Sequence, residues 1–63
     1  MLSENLKNAR RKQRYTLQEV SELTGIAVST IGNLESGLNK NPRLNTVLAL
    51  SKVLKVPVSK LIK

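Results

Sequence analysis

The sequence predicts an all-α fold, a compact bundle of five short helices. Three observations predict it. Apolar residues recur three and four apart along most of the chain. Thr16 and Glu19 stand three apart as a capping box, a helix-start signal. Gly25 and Gly37 each close a periodic segment, as a residue able to turn left-handed does. Sixty-three residues make one domain, 1–63. A chain of that size buries only about 60% of the surface it exposes unfolded. Its core therefore has to be well filled, and hydrophobic residues, nearly all Leu, Val and Ile, supply 40% of the sequence.

The first helix is expected from Leu2 to Gln13, with Leu2, Leu6 and Ala9 on its apolar face. Arg10, Arg11, Lys12 and Arg14 then form a basic end, which complements the helix dipole and lies open to phosphate. The second helix starts at the Thr16 cap, where Tyr15 and Val20 form a hydrophobic staple around the box, and stops at Gly25. Gly25-Ile26-Ala27 leaves room for a tight turn and nothing more. A third helix follows over Val28 to Ser36 and ends at Gly37. Two helices joined by a Gly-containing turn of three to four residues are a helix-turn-helix. From Gly37 to Arg43 the chain reads as a loop, broken by Asn39, Asn41 and Pro42. The fourth helix, Asn45 to Leu54, is almost wholly apolar and belongs in a bundle centre or an interface. Pro57 opens a last short helix ending near Ile62, with Val58, Leu61 and Ile62 inward.

Composition narrows the function. The chain has no Cys and no His, so thiolate chemistry, zinc knuckles and the commonest general base are missing. Glu19 and Glu22, two of the four acids, read as a solvated helix face rather than an acid-base pair. We expect no enzyme, no cofactor and no metal. Tyr15 is the sole aromatic, which disfavours single-strand recognition by stacking. No apolar run approaches the ~20 residues that span a bilayer, and the N-terminus lacks the apolar region of a signal peptide. A cytoplasmic, nucleoid-associated protein without membrane contact is expected. Eleven Lys and Arg against four Glu give a net charge of +7, a field that attracts polyanions.

The third helix says which polyanion. With Ile31 pointing inward, Ser29 and Asn33 lie roughly 160° away on the opposite side. That outer face is small, polar and uncharged, as a helix entering a major groove needs. Asn33 can bond both edges of an adenine, Ser29 can bond any base, and Val28 near the tip can meet a thymine methyl. These three are the candidate base contacts, and they lean towards A·T pairs. Candidate phosphate contacts flank them: Arg10, then Thr16, Leu17 and Gln18 at the second helix's N-terminus, then Thr30, Asn39, Lys40 and Arg43.

The run Thr16-Leu17-Gln18-Glu19-Val20-Ser21, then Thr24-Gly25-Ile26, Ser29-Thr30-Ile31 and Leu34-Glu35-Ser36-Gly37, resembles the phage-repressor/Cro-type helix-turn-helix family, often called Xre. Asn41 to Thr46, Ala49 to Leu54 and Val56-Pro57-Val58 extend the resemblance over essentially the whole chain. It implies a bacterial or phage transcriptional regulator whose third helix enters the major groove. By position it matches Val28, Ser29 and Asn33 to base readers, Thr16 and Leu17 to phosphate contacts, and Arg10 with Glu35 to an ion pair between helices. Three residues depart from the pattern. Ser21 stands where Ala is favoured, Ala27 replaces a Ser or Thr cap, and Leu17 replaces a Gln.

One copy with three or four base contacts discriminates weakly. A homodimer on a palindromic double-stranded operator is therefore expected, with half-sites about 34 Å apart. The fourth helix and the tail Val56 to Ile62 are the expected dimer surface. A repressor is the leading reading. The alternative is an antitoxin-like or protein-interaction module on the same fold.

Overall fold

The structure, a computed structural model, describes residues 2–62. It holds five helices, α1 (Leu2–Lys12), α2 (Leu17–Thr24), α3 (Val28–Ser36), α4 (Leu44–Leu54) and α5 (Val58–Leu61). No strand occurs among the described residues.

Each boundary has a local cause. α1 ends one residue before the expected Gln13, because Arg14 turns left-handed at φ 61° and carries the chain off the axis. At α2 both halves of the capping box form: the Glu19 N–H donates to Thr16 Oγ1 at 3.0 Å, and the Thr16 N–H donates to Glu19 Oε1 at 2.9 Å. Gly25 closes α2 at φ 77°, donating its N–H to the Ser21 carbonyl at 2.8 Å. α3 starts behind Ala27, which offers no side-chain cap, and stops at Gly37, φ 86°. α4 begins at Leu44, one residue earlier than expected, with Arg43 extended in the capping position. Pro57 precedes α5 as its N-cap rather than sitting within the first turn.

Leu6, Ala9, Val20, Ile31, Leu34, Val47, Leu50, Leu54 and Leu61 form one core, to which every helix contributes. Leu2, Tyr15, Leu17, Ile26, Val53, Val56 and Val58 pack around it. Ile62 corrects one expectation: it is 55% exposed, not inward. The short α5 ends at Leu61, which takes the inward place itself, and the next residue points about 100° away.

α3 packs on α1 and α2, α4 packs on α2, and α5 bridges α1 and α4. Side-chain amides fasten the helix ends whose last carbonyls have no partner within the helix. Asn5 donates to the carbonyls of Lys60 and Leu61 at 3.1 and 3.2 Å, and Gln13 donates to that of Leu54 at 3.3 Å. The result is a scaffold that presents α3 on one side.

Candidate nucleic-acid interface

Ile31 and Leu34 are 0% and 1% exposed, so α3 is anchored by one stripe. Ser29 and Asn33, on the opposite stripe, are exposed. Val28 is half-buried at the helix start, its position allowing a methyl contact from the edge. Ser36 turns back instead, its hydroxyl donating to the Asn33 carbonyl at 3.1 Å.

The far end of α3 is held by charge. Arg10 donates through Nε to Glu35 Oε2 at 2.6 Å and through Nη2 to Oε1 at 3.0 Å, a two-pronged ion pair. Its Nη1 donates to the Tyr15 carbonyl at 2.8 Å. Hydrogen bonding to Glu35 raises the Arg10 pKa above its ordinary value, with Coulomb attraction adding to it and burial opposing. Only 15% of the Arg10 side chain and 6% of the Glu35 side chain meet solvent. Arg10 thus faces inward, tying α1, the α1–α2 corner and α3 together, rather than standing among the exposed cations.

The candidate phosphate residues fall into two groups, one at the start of α2 and one along α3 and the loop after it. At the α2 terminus Thr16 and Gln18 are exposed, whereas the Leu17 side chain packs on the core and leaves its backbone N–H as the available donor. The Thr16 hydroxyl accepts within the capping box and keeps its own proton for an outside acceptor. Beyond α3, Thr30, Asn39 and Arg43 share a cleft of about 440 Å³ with Ile26, Asn41, Pro42 and Thr46. Its loop wall is braced: the Asn39 N–H donates to the Asn33 carbonyl at 3.1 Å, and the Asn41 N–H donates to Asn39 Oδ1 at 3.1 Å. Lys40 does not join this cleft. It borders two apolar grooves with Leu2 and Ile62.

Ile26, Asn41 and Thr46 were not legible as site residues. Beyond lying in the runs that resemble the family, Asn41 carried a loop-breaker signal, and Thr46 and Ile26 fell in a helix first turn and a tight turn. The folding of the loop over the start of α4 is what brings Asn41 and Thr46 to Ile26 and Thr30.

This arrangement compares closely with known proteins. The helix-turn-helix family profile matches residues 6–61. The chain belongs to the helix-turn-helix family. Within it, this helix-turn-helix domain is 32% identical over 62 residues to the HTH-type transcriptional regulator SinR of Bacillus subtilis, covering 98% of this chain and 56% of SinR. It is 33% identical over 58 residues, 92% of this chain and 42% of the relative, to the uncharacterized HTH-type transcriptional regulator RghRB of the same organism. The domain thus spans about half the length of the curated relatives it matches. A crystal structure of SinR, described as the master regulator for biofilm formation, in complex with DNA superimposes with a TM-score of 0.95. It covers all of both chains at 32% identity. The all-helical reading made from periodicity, the capping box and the glycines is borne out, and so is the resemblance of the residue runs to the Xre-type helix-turn-helix family. Among the described residues no helix is long and apolar enough to cross a membrane.

Proposed function

We propose that this helix-turn-helix domain binds duplex DNA sequence-specifically as a transcriptional regulator, with α3 in the major groove. The observation that carries the proposal is the two-sided character of α3: Ile31 and Leu34 fixed in the core, Ser29 and Asn33 exposed opposite them. Val28, Ser29 and Asn33 are the base contacts. Thr16, the Leu17 N–H and Gln18 hold phosphates on one side, with Thr30, Asn39 and Arg43 on the other and Lys40 adding charge at the loop. Arg10 acts by positioning α3. The net charge of +7 and the likeness to a SinR chain solved with DNA support the same reading.

Pairing is part of the proposal. Leu2, Pro42, Leu44, Val47, Val58 and Ile62 line an apolar groove of about 360 Å³, and Leu44 at its rim is 69% exposed. This is the face of α4 and the tail, and we assign it to a second copy on a palindromic operator. Such a dimer acts in the nucleoid as a repressor by occupying the operator. The antitoxin-like reading assigns the same groove to a different protein.

Selection of bound duplexes from a random library, followed by fluorescence anisotropy, tests the reading. We expect an enriched palindrome and loss of roughly 5- to 150-fold in affinity for Asn33→Ala, as one good base contact supplies. Its melting temperature should stay that of the unaltered chain. No binding even at low salt would overturn the proposal.

A further inference from the structure

A smaller groove, of about 240 Å³, lies where the start of α1, the end of α3 and the tail meet. Leu2, Leu34 and Ile62 form its apolar wall, and Ser3, Asn39 and Lys40 border it as polar residues. Among the described residues no carboxylate lines it, and none lines the larger groove beside it. Lys40 is the one charged side chain shared by the two. It is exposed, and among the described residues the one ion pair joins Arg10 to Glu35 instead. Asn39 gives its Oδ1 to the Asn41 N–H, which keeps its Nδ2 as a donor, and the Ser3 hydroxyl can donate as well.

Three groups able to donate, one of them an ammonium, thus border the same groove as an apolar wall. That pairing matches an anionic head carrying an apolar tail, since a cation would meet Lys40 with like charge and a neutral chain would leave it unused. The volume limits the tail. At about 30 Å³ for each water-sized group, the groove takes about eight of them, the bulk of a carboxylate of roughly six to eight carbons.

We propose that this smaller groove is an effector site for an amphiphilic carboxylate, with its head on Lys40 and its tail against Leu2, Leu34 and Ile62. Leu34 is 1% exposed and forms the floor, so the tail rests on a residue that anchors α3. Leu2, Lys40 and Ile62 also line the larger groove assigned above to a second copy. A seated carboxylate covers that shared rim, so ligand and second copy exclude each other. The ligand acts as an inducer, separating the copies and emptying the full operator. This regulatory half rests on the pairing reading above, whereas the binding half stands by itself.

Methyl NMR titration of the unaltered chain, without DNA, tests the site with octanoate. Octylammonium and octan-1-ol are the chain-matched cationic and neutral probes. Octanoate should give saturable shifts at the methyls of Leu2, Leu34 and Ile62. It should bind about 2- to 5-fold more tightly than the alcohol, as one exposed ion pair supplies. In Lys40→Glu the order of the two ions should reverse. Equal affinity for all three probes would leave the groove a plain apolar surface for another chain and overturn the proposal. An order unchanged in Lys40→Glu, or no saturable shift at low-millimolar octanoate, would do the same. Band-shift titrations then test the regulation: octanoate should abolish cooperative occupancy of a full palindrome and leave single half-sites bound as before. Octanoate binding with cooperativity intact would overturn its role as inducer. Absence of cooperativity before any octanoate is added would instead overturn the pairing reading, and the NMR titration would still decide the site.

Discussion

Among single residues, Arg10 shows best where sequence reasoning reached and where it stopped. Its pairing with Glu35 was implied by family resemblance, and the bond is present. That the same guanidinium also caps the Tyr15 carbonyl depends on the α1–α2 corner, which no local pattern encodes. Glu35→Gln should cost about 2–3 kcal/mol in chemical denaturation, below the ~3–5 of a fully buried pair because Arg10 keeps some solvent contact. For a chain whose whole stability is about 3–9 kcal/mol, that is a large fraction. Since pairing raises the Arg10 pKa, its contribution is fully present at neutral pH, well below the ordinary arginine value. It is lost only when pH climbs through the raised one, so this bond adds no pH dependence near neutrality. Glycine 25 offers a cleaner case. A Cβ added there meets no heavy atom within 4 Å. Gly25→Ala should therefore cost about 1 kcal/mol from backbone conformation alone, readable in the same denaturation curves.

Helices with strong end signals were legible almost to the residue. Thr16, Glu19, Gly25 and Gly37 set the limits of α2 and the end of α3, because capping is local chemistry. Where the signal was weak the limits moved. Nothing in the sequence foretold Arg14 in a left-handed corner or Arg43 in a capping position, and α1 and α4 each shifted by one residue. The start of α3 remains uncapped in the structure, as Ala27 led us to expect. Its backbone, φ −60° and ψ 142°, is already that of a capping residue. Ala27→Ser should accordingly stabilise the domain by about 0.5–1 kcal/mol in thermal or chemical melts.

For the molecule as a unit, size decides how much DNA one copy reads. The Cα framework measures 23 × 21 × 19 Å, against about 34 Å for a turn of duplex. Under the proposed function, one copy of this size addresses one groove segment and a second copy takes the next. Leu44→Lys places a charge at the rim of the apolar groove while leaving α3 untouched. We expect it to bind single half-sites as the unaltered chain does and to lose cooperative occupancy of a full palindrome, as band-shift titrations would show. Unchanged cooperativity would move the pairing surface elsewhere. The apolar character of α4 and the tail was legible in the sequence, but the groove they form with Leu2 and Pro42 was not. Nor was the turning out of Ile62 at its edge, since periodicity alone continues a helix past the point where this one ends.

The fork of Arg10 on Glu35 also fixes the roll of α3 about its own axis. A roll of about 20° would carry side-chain tips some 2 Å sideways, beyond what a hydrogen bond to a base tolerates. Under the proposed function, discrimination between operators becomes a matter of torsional stiffness, stored in a contact remote from Asn33's outer end. A domain carrying Glu35→Gln, kept cool enough to stay folded, should grip DNA nearly as tightly yet accept a broader set of sequences. The base preference opposite Asn33 should blur first.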